Sequence, residues 1–300
     1  MRAIASGISD GEPPCDATSR RWLASTIGSC QSDCHMKETP VLAAFESGVL
    51  TLTLNRPERL NAMNNLLIEA MNRELARARD DNTVRAVLLT GTGRGFCAGA
   101  DLAGGSPIDS KAATPPDLGA DMDRLFNPMI RAMRALPKPI VGAINGVAAG
   151  GGANFALACD IVVAARSARF DQAFVRISLL PDLGGTWFLP HLVGDARARA
   201  LAMLGTSLTA EQAERMGMVW QVVDDAALMD EATKLARRLA AGPTLSYAAI
   251  KQAIDKAATN SLDQQLDLER DSQRALGQTN DCREGVAAFL AKRPAQFTGR

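Results

Sequence analysis

Three consecutive glycines, Gly150, Gly151 and Gly152, join an apolar run to an alanine-rich one, and this junction constrains the chain more than any other stretch. The run 139–144 is apolar and opens on Pro139, which predicts a short buried strand. Residues 153–158 favour helix. Glycine at the joint allows a sharp turn and a close approach, because no Cβ stands in the way. A helix starting there presents unpaired N–H groups and the positive end of its dipole to whatever lies in front. The junction can therefore hold an anion, or an oxyanion that exists only during a reaction. Tight packing of a helix against a strand is the other reading of the same residues.

Composition narrows the classes. The chain has 300 residues, 47% of them apolar and 22% charged, enough for one large folded domain or two smaller ones. Lys plus Arg equals Asp plus Glu at 33 each, so there is no basic field for nucleic acid. No apolar run approaches the roughly 18 residues of a membrane span; Asn145, Asn154 and Asp160 interrupt the most apolar region. Six cysteines without a close pairing pattern beyond residue 35 predict reduced thiols and a cytoplasmic protein. Residues 1–35 have no helical or strand period and read as a disordered extension upstream of Met36. Within it, Cys30, Cys34 and His35 lack a fourth ligand, and no metal is expected.

Further on, residues 47–54 alternate as a strand does, and 55–59 break the pattern. Asn61 is placed to cap a helix running to about Arg79, with Met63, Leu66, Leu67, Ala70, Met71 and Leu75 on its apolar side. A second strand over 84–90 leads into a glycine-rich loop over 91–102. Its G-x-G-x-G spacing does not fit a dinucleotide fingerprint. Cys97 has only His35 and His191 to activate it and reads as an inert buried thiol. Residues 104–116 form a loop suited to covering a site, and 118–135 a helix. Strands follow over 161–165 and 219–223, then helices over 229–240, 243–256, 261–276 and 281–291. Alternating strands and helices with a helical tail predict an α/β fold.

Three segments in register, 54–63, 95–102 and 145–152, resemble the crotonase, or enoyl-CoA hydratase/isomerase, superfamily, and the likeness runs from about residue 41 to residue 300. It implies a spiral of ββα units over 36–225 and a C-terminal helical region over 226–300 that builds homotrimers, often paired into hexamers. It also implies an acyl-CoA substrate and no metal or redox cofactor. By family position the N–H groups of Ala100 and Gly151 would stabilise the thioester oxyanion. Arg59, Ala62, Ala98, Asp101 and Leu102 would cradle the CoA moiety, and Phe289 and Lys292 would reach its nucleotide end.

The departures from the family pattern matter as much. Hydratases of the superfamily use two glutamates, and this chain has Asn154 and Phe174 at those places. Water addition by that mechanism is therefore not expected, and Asn154 is expected to line the pocket as a neutral amide. The isomerase branch carries an acid in a later turn, where Asp182 stands. Capping of the following helix is the other reading of Asp182. Segments 182–190, 220–225, 265–271 and the final residues resemble the branch that rearranges the ring-epoxide of phenylacetyl-CoA into a seven-membered oxepin. The expectation is an acyl-CoA isomerase in which Asp182 shuttles a proton. An aliphatic enoyl-CoA isomerase and an idle acyl-CoA binder are the alternatives.

Overall fold

The computed structural model describes residues 39–102 and 117–300. The extension expected over 1–35 and the covering loop expected over 104–116 lie outside them. Residues Thr39–Arg300 form one compact unit.

Two sheets carry the fold. In the larger one, β2 (Val49–Leu54) pairs antiparallel with β1 (Val41–Glu46) and parallel with β3 (Ala86–Gly91). Three more parallel strands follow: β5 (Ile140–Ile144), β7 (Ile161–Ala165) and β10 (Gln221–Val223). Every residue of β5 is buried, as a parallel strand covered on both faces must be. The smaller sheet orders β4 (Gly95–Cys97), β6 (Val147–Ala149), β8 (Arg169–Asp171) and β9 (Ser207–Thr209). Each of β3, β5 and β7 is followed within a few residues by β4, β6 or β8 respectively. The chain thus steps from the large sheet to the small one and returns through helix, turn after turn.

Those helices are α1 (Asn65–Asp80), α2 (Leu118–Asp121), α3 (Asn127–Ala135) and α4 (Gly151–Leu157). A single π turn, Met122–Phe126, joins α2 to α3, so the helix expected over 118–135 is continuous but locally widened. Then come α5 (Gly185–Val193), α6 (Asp195–Leu204) and α7 (Ala210–Arg215). The last four are α8 (Leu228–Ala240), α9 (Thr244–Ala257), α10 (Leu262–Leu276) and α11 (Asn280–Leu290).

Three expectations need correction. The strands of the smaller sheet are three residues each, too short to show a period, and β4 was expected as loop. Asn61 does not cap α1; Asn64 does, its side chain accepting from Leu67 N at 2.9 Å. Asn61 instead sits at φ +57° and is fully buried, donating to Gly95 O at 2.8 Å and accepting from Arg56 N at 2.8 Å. Leu66, expected on the apolar face of α1, is 56% exposed.

The C-terminal helices divide by what they touch. Helix α8 packs on β3 and β5 and buries Leu228, Ala232, Ala236 and Ala240, so it completes the core. Helix α10 buries no residue within this chain. Ile254, Leu262, Phe289 and Leu290 of α9–α11 are exposed. The end of the chain folds back on α11, where the Asp281 carboxylate accepts from Thr298 N and Gly299 N at 2.7 Å each.

Candidate active site

Both sheets bring two segments of backbone together at one place. After β4 the chain is pinned at Met63, whose N–H donates to Gly99 O at 2.7 Å and whose carbonyl accepts from Asp101 N at 3.0 Å. Ala100 between them presents its N–H the other way. After β6, Gly150 turns the chain at φ +52°, a value that favours glycine, and α4 begins at Gly151. Gly152 lies against β4 so closely that a Cβ there would stand 2.1 Å from Cys97 O. Among the described residues, neither Ala100 N–H nor Gly151 N–H donates to a protein acceptor.

An acid faces this pair of donors. Asp182 sits in the turn between a 3-10 segment (Ala173–Ile177) and α5. A Cβ built on Gly151 would meet Leu183 Cδ1 at 3.1 Å, Met63 Cε at 3.2 Å and Asp182 Oδ1 at 3.3 Å. That Oδ1 is buried without a hydrogen-bond partner. Burial pushes the Asp182 carboxyl up to about 6, because the charged form loses more solvation than its one backbone N–H contact restores. The capping alternative does not hold: the N-cap of α5 is Gly184 and no side chain caps it.

Between the donors and the acid opens a cavity of about 690 Å³. Its walls are largely apolar, with Phe126, Phe174, Ile177 and Leu180 among them, and among the described residues Asp121 and Arg176 are its other charged side chains. Asp121 pairs with Arg124 and Arg176 with Asp171. Of the residues singled out in the sequence, Ala98, Ala100, Leu102, Gly151 and Asp182 line this cavity. Ala62 and Asp101 are buried behind it, held by Arg56, whose guanidinium donates to Ala62 O at 2.6 Å and pairs with Asp101 at 2.8 Å. The family likeness placed Arg56 at the head of a loop, 56–62, expected to cradle the CoA moiety; its buried ion pair with Asp101 was not foreseen.

Asn154 corrects an expectation. It is fully buried and does not line the cavity. Its Nδ2 donates to Asp182 O at 2.8 Å, and its Oδ1 accepts from Gln172 Nε2 at 2.9 Å. Phe174, by contrast, presents its ring to the cavity. Arg59 is exposed and outside the lining set. So are Phe289, at 82% exposed, and Lys292, which the fold of one chain does not bring to this site. Cys97 is buried, its thiol pushed up to about 12 by loss of solvent. Among the described residues no cluster of three or more His, Cys, Asp or Glu could hold a metal, and no helix is long and apolar enough to cross a membrane.

Two interleaved sheets wound with helices, with free backbone N–H groups after β4 and at the start of α4, define the crotonase spiral. The chain belongs to the enoyl-CoA hydratase/isomerase family, whose sequence model matches residues 44–300, and it is an enzyme of that family. It is 55% identical over 260 residues to the 1,2-epoxyphenylacetyl-CoA isomerase of Escherichia coli, covering 87% of this chain and 98% of that one. It is 35% identical to the 2,3-dehydroadipyl-CoA hydratase of the same organism, covering 87% and 99%. A solved enoyl-CoA hydratase/isomerase structure from Mycobacterium abscessus superposes with a TM-score of 0.82 at 35% identity, covering 87% of this chain and all of that one.

Proposed function

We propose that this enzyme is an acyl-CoA isomerase whose acid–base group is Asp182 and whose physiological substrate is a ring-1,2-epoxide of phenylacetyl-CoA. The observation that carries the reading is the unpartnered Asp182 oxygen beside Gly151, in an apolar cavity floored by the two backbone donors.

The chemistry follows from that arrangement. The Asp182 carboxylate takes a proton from the carbon next to the thioester. The electron pair of that C–H bond becomes a C=C bond, and the carbonyl π electrons move to oxygen. Ala100 and Gly151 N–H hold the oxyanion; one donor of this kind is typically worth about a hundredfold or more in rate. On reprotonation the oxyanion reverts to a carbonyl and the proton returns to a carbon further along the conjugated system. A 3-enoyl thioester becomes a 2-enoyl one. In the ring-epoxide, the ring C–C bond under the oxygen opens to admit oxygen into a seven-membered ring, and the proton goes from the α-carbon to the ring. Each rearrangement is redox-neutral and needs no metal or redox cofactor.

A carboxyl that titrates at about 6 suits an acid that must both take and return a proton near neutrality. Asn154 and Phe174 leave no pair of carboxylates to hold an attacking water, which disfavours hydration. The 55% identical relative and the aromatic walls at Phe126 and Phe174 favour the aromatic epoxide over an aliphatic chain. We further assign CoA contacts to Ala98 and Leu102 and to exposed Arg59, with buried Ala62 and Asp101 supporting them from behind and Phe289 and Lys292 serving the nucleotide of a neighbouring subunit. The exposed apolar side chains of α9–α11 support a homotrimer or hexamer, and the free cysteines a cytoplasmic setting.

The test is turnover of a 3-enoyl-CoA, followed by enoyl-thioester absorbance, and of the ring-epoxide, in the native enzyme and in Asp182→Asn. We expect the variant to lose between about a hundredfold and ten-thousandfold in kcat. Equal turnover by variant and native enzyme would overturn the assignment of Asp182.

A further inference from the structure

The Asp182 turn is held from below. Asn154 lies on α4, one helical turn beyond Gly151, so the same short helix carries a candidate oxyanion donor and a bond to the candidate acid. The site asks one side chain to accept at one end and donate at the other, as a neutral amide does. Its Oδ1 faces Gln172 Nε2 and must accept; its Nδ2 faces Asp182 O and must donate. The Asp182 carbonyl can only accept, so it fixes which way round the Asn154 amide lies, and Gln172, 97% shielded from solvent, donates to the oxygen left over. A carboxylate at 154 could keep the first bond but would set its second oxygen against a carbonyl. Gly185 makes room for the arrangement, since a Cβ there would fall 2.1 Å from Asn154 Nδ2.

We infer that Asn154 is a positioning residue: through its Nδ2–H to Asp182 O it fixes the Asp182 carboxyl over Gly151, while Gln172 anchors the far side of the amide. This rests on Asp182 being the acid–base group. It gives the place of the family's missing glutamate a task in this chain other than lining the pocket.

The deciding variant is Asn154→Asp, whose ionised form keeps the acceptor for Gln172, removes the donor to Asp182 and adds a carboxylate beside it. Misplacing a reacting group by about 1 Å can cost on the order of a hundredfold. We expect kcat to fall about tenfold to a hundredfold with KM changed less than about twofold. The acid limb of the kcat profile should move to higher pH, because a second carboxyl beside Asp182 favours its protonated form. Among the described residues, Asp121 and Arg176 are the other charged groups facing the cavity, and both are engaged in their own ion pairs and unaltered. A second variant, Asn154→Ala with Gly185→Ala, refills the vacated space with a methyl and makes no hydrogen bond. It should lose kcat to the same degree without moving the pH limb, and it decides the matter if Asn154→Asp does not fold. Native kcat in the refilled variant, or native kcat and an unmoved limb in Asn154→Asp, would overturn the inference. If Asp182→Asn is inactive while these variants work normally, positioning fails alone; if Asp182→Asn is active, the function reading fails first.

Discussion

The two walls of the cavity are built on different principles. The wall made by β4, β6 and α4 is backbone: its donors are main-chain N–H groups, set by strand pairing and by a helix that meets a strand at glycine. The wall made by residues 179–186 is side chain: a carboxyl whose proton affinity depends on burial, on a turn that one amide holds. A backbone wall comes with the fold and cannot be altered without damaging it. A side-chain wall can be altered at will, and this lets one fold serve different chemistry.

Substitutions should break the two walls in different ways. The largest effect is expected at Gly152→Ala, whose methyl would meet the Cys97 carbonyl, a backbone atom that cannot step aside. Overpacking of this kind costs about 1–3 kcal/mol or more, and denaturant melts should record at least the upper end of that range, with turnover lost as α4 leaves β4. Next comes Gly151→Val. Its branch points at Leu183, Met63 and Asp182, side chains that can give way, so the fold should survive. Steady-state assays should show kcat/KM down by about a hundredfold, near 2.7 kcal/mol of transition-state stabilisation.

The smallest effect sharpens the comparison by changing sign. Asp182 takes up its proton at about 6 in the folded chain, against about 3.9 when unfolded. Between those values the folded state holds more protons, so stability falls as pH rises through the window. Asp182→Asn removes that burden. Its melts should match the native enzyme near pH 4 and exceed it by about 2 kcal/mol above pH 7. No gain at neutral pH would mean that the carboxyl is solvated and the wall is not built as described.

The same division explains what could be read in advance. Residues 47–54 and 161–165 showed as strands because apolar and β-branched side chains repeat there, and Gly150 to Gly152 announced a backbone site because only glycine permits it. Strands β4, β6 and β8 left no trace, since three residues carry no period and their pairing is dictated from a distance. Asp182 could be pointed to only by likeness. Its environment comes from Met63, Gly151 and Leu183, which meet only when the chain is wound. Asn154 was misjudged for the same reason: its helix position was legible, but not that the Asp182 carbonyl would lie above it.

Cys97 lends the backbone wall a clock. Its sulfur is fully buried on the strand that α4 presses against, and it stays protonated at any ordinary pH. A thiol reagent meets it only while β4 has come loose, so its rate of labelling in the intact enzyme times the breathing of this wall of the cavity. Exposed Cys282, on α11, supplies the unhindered rate on the same molecule.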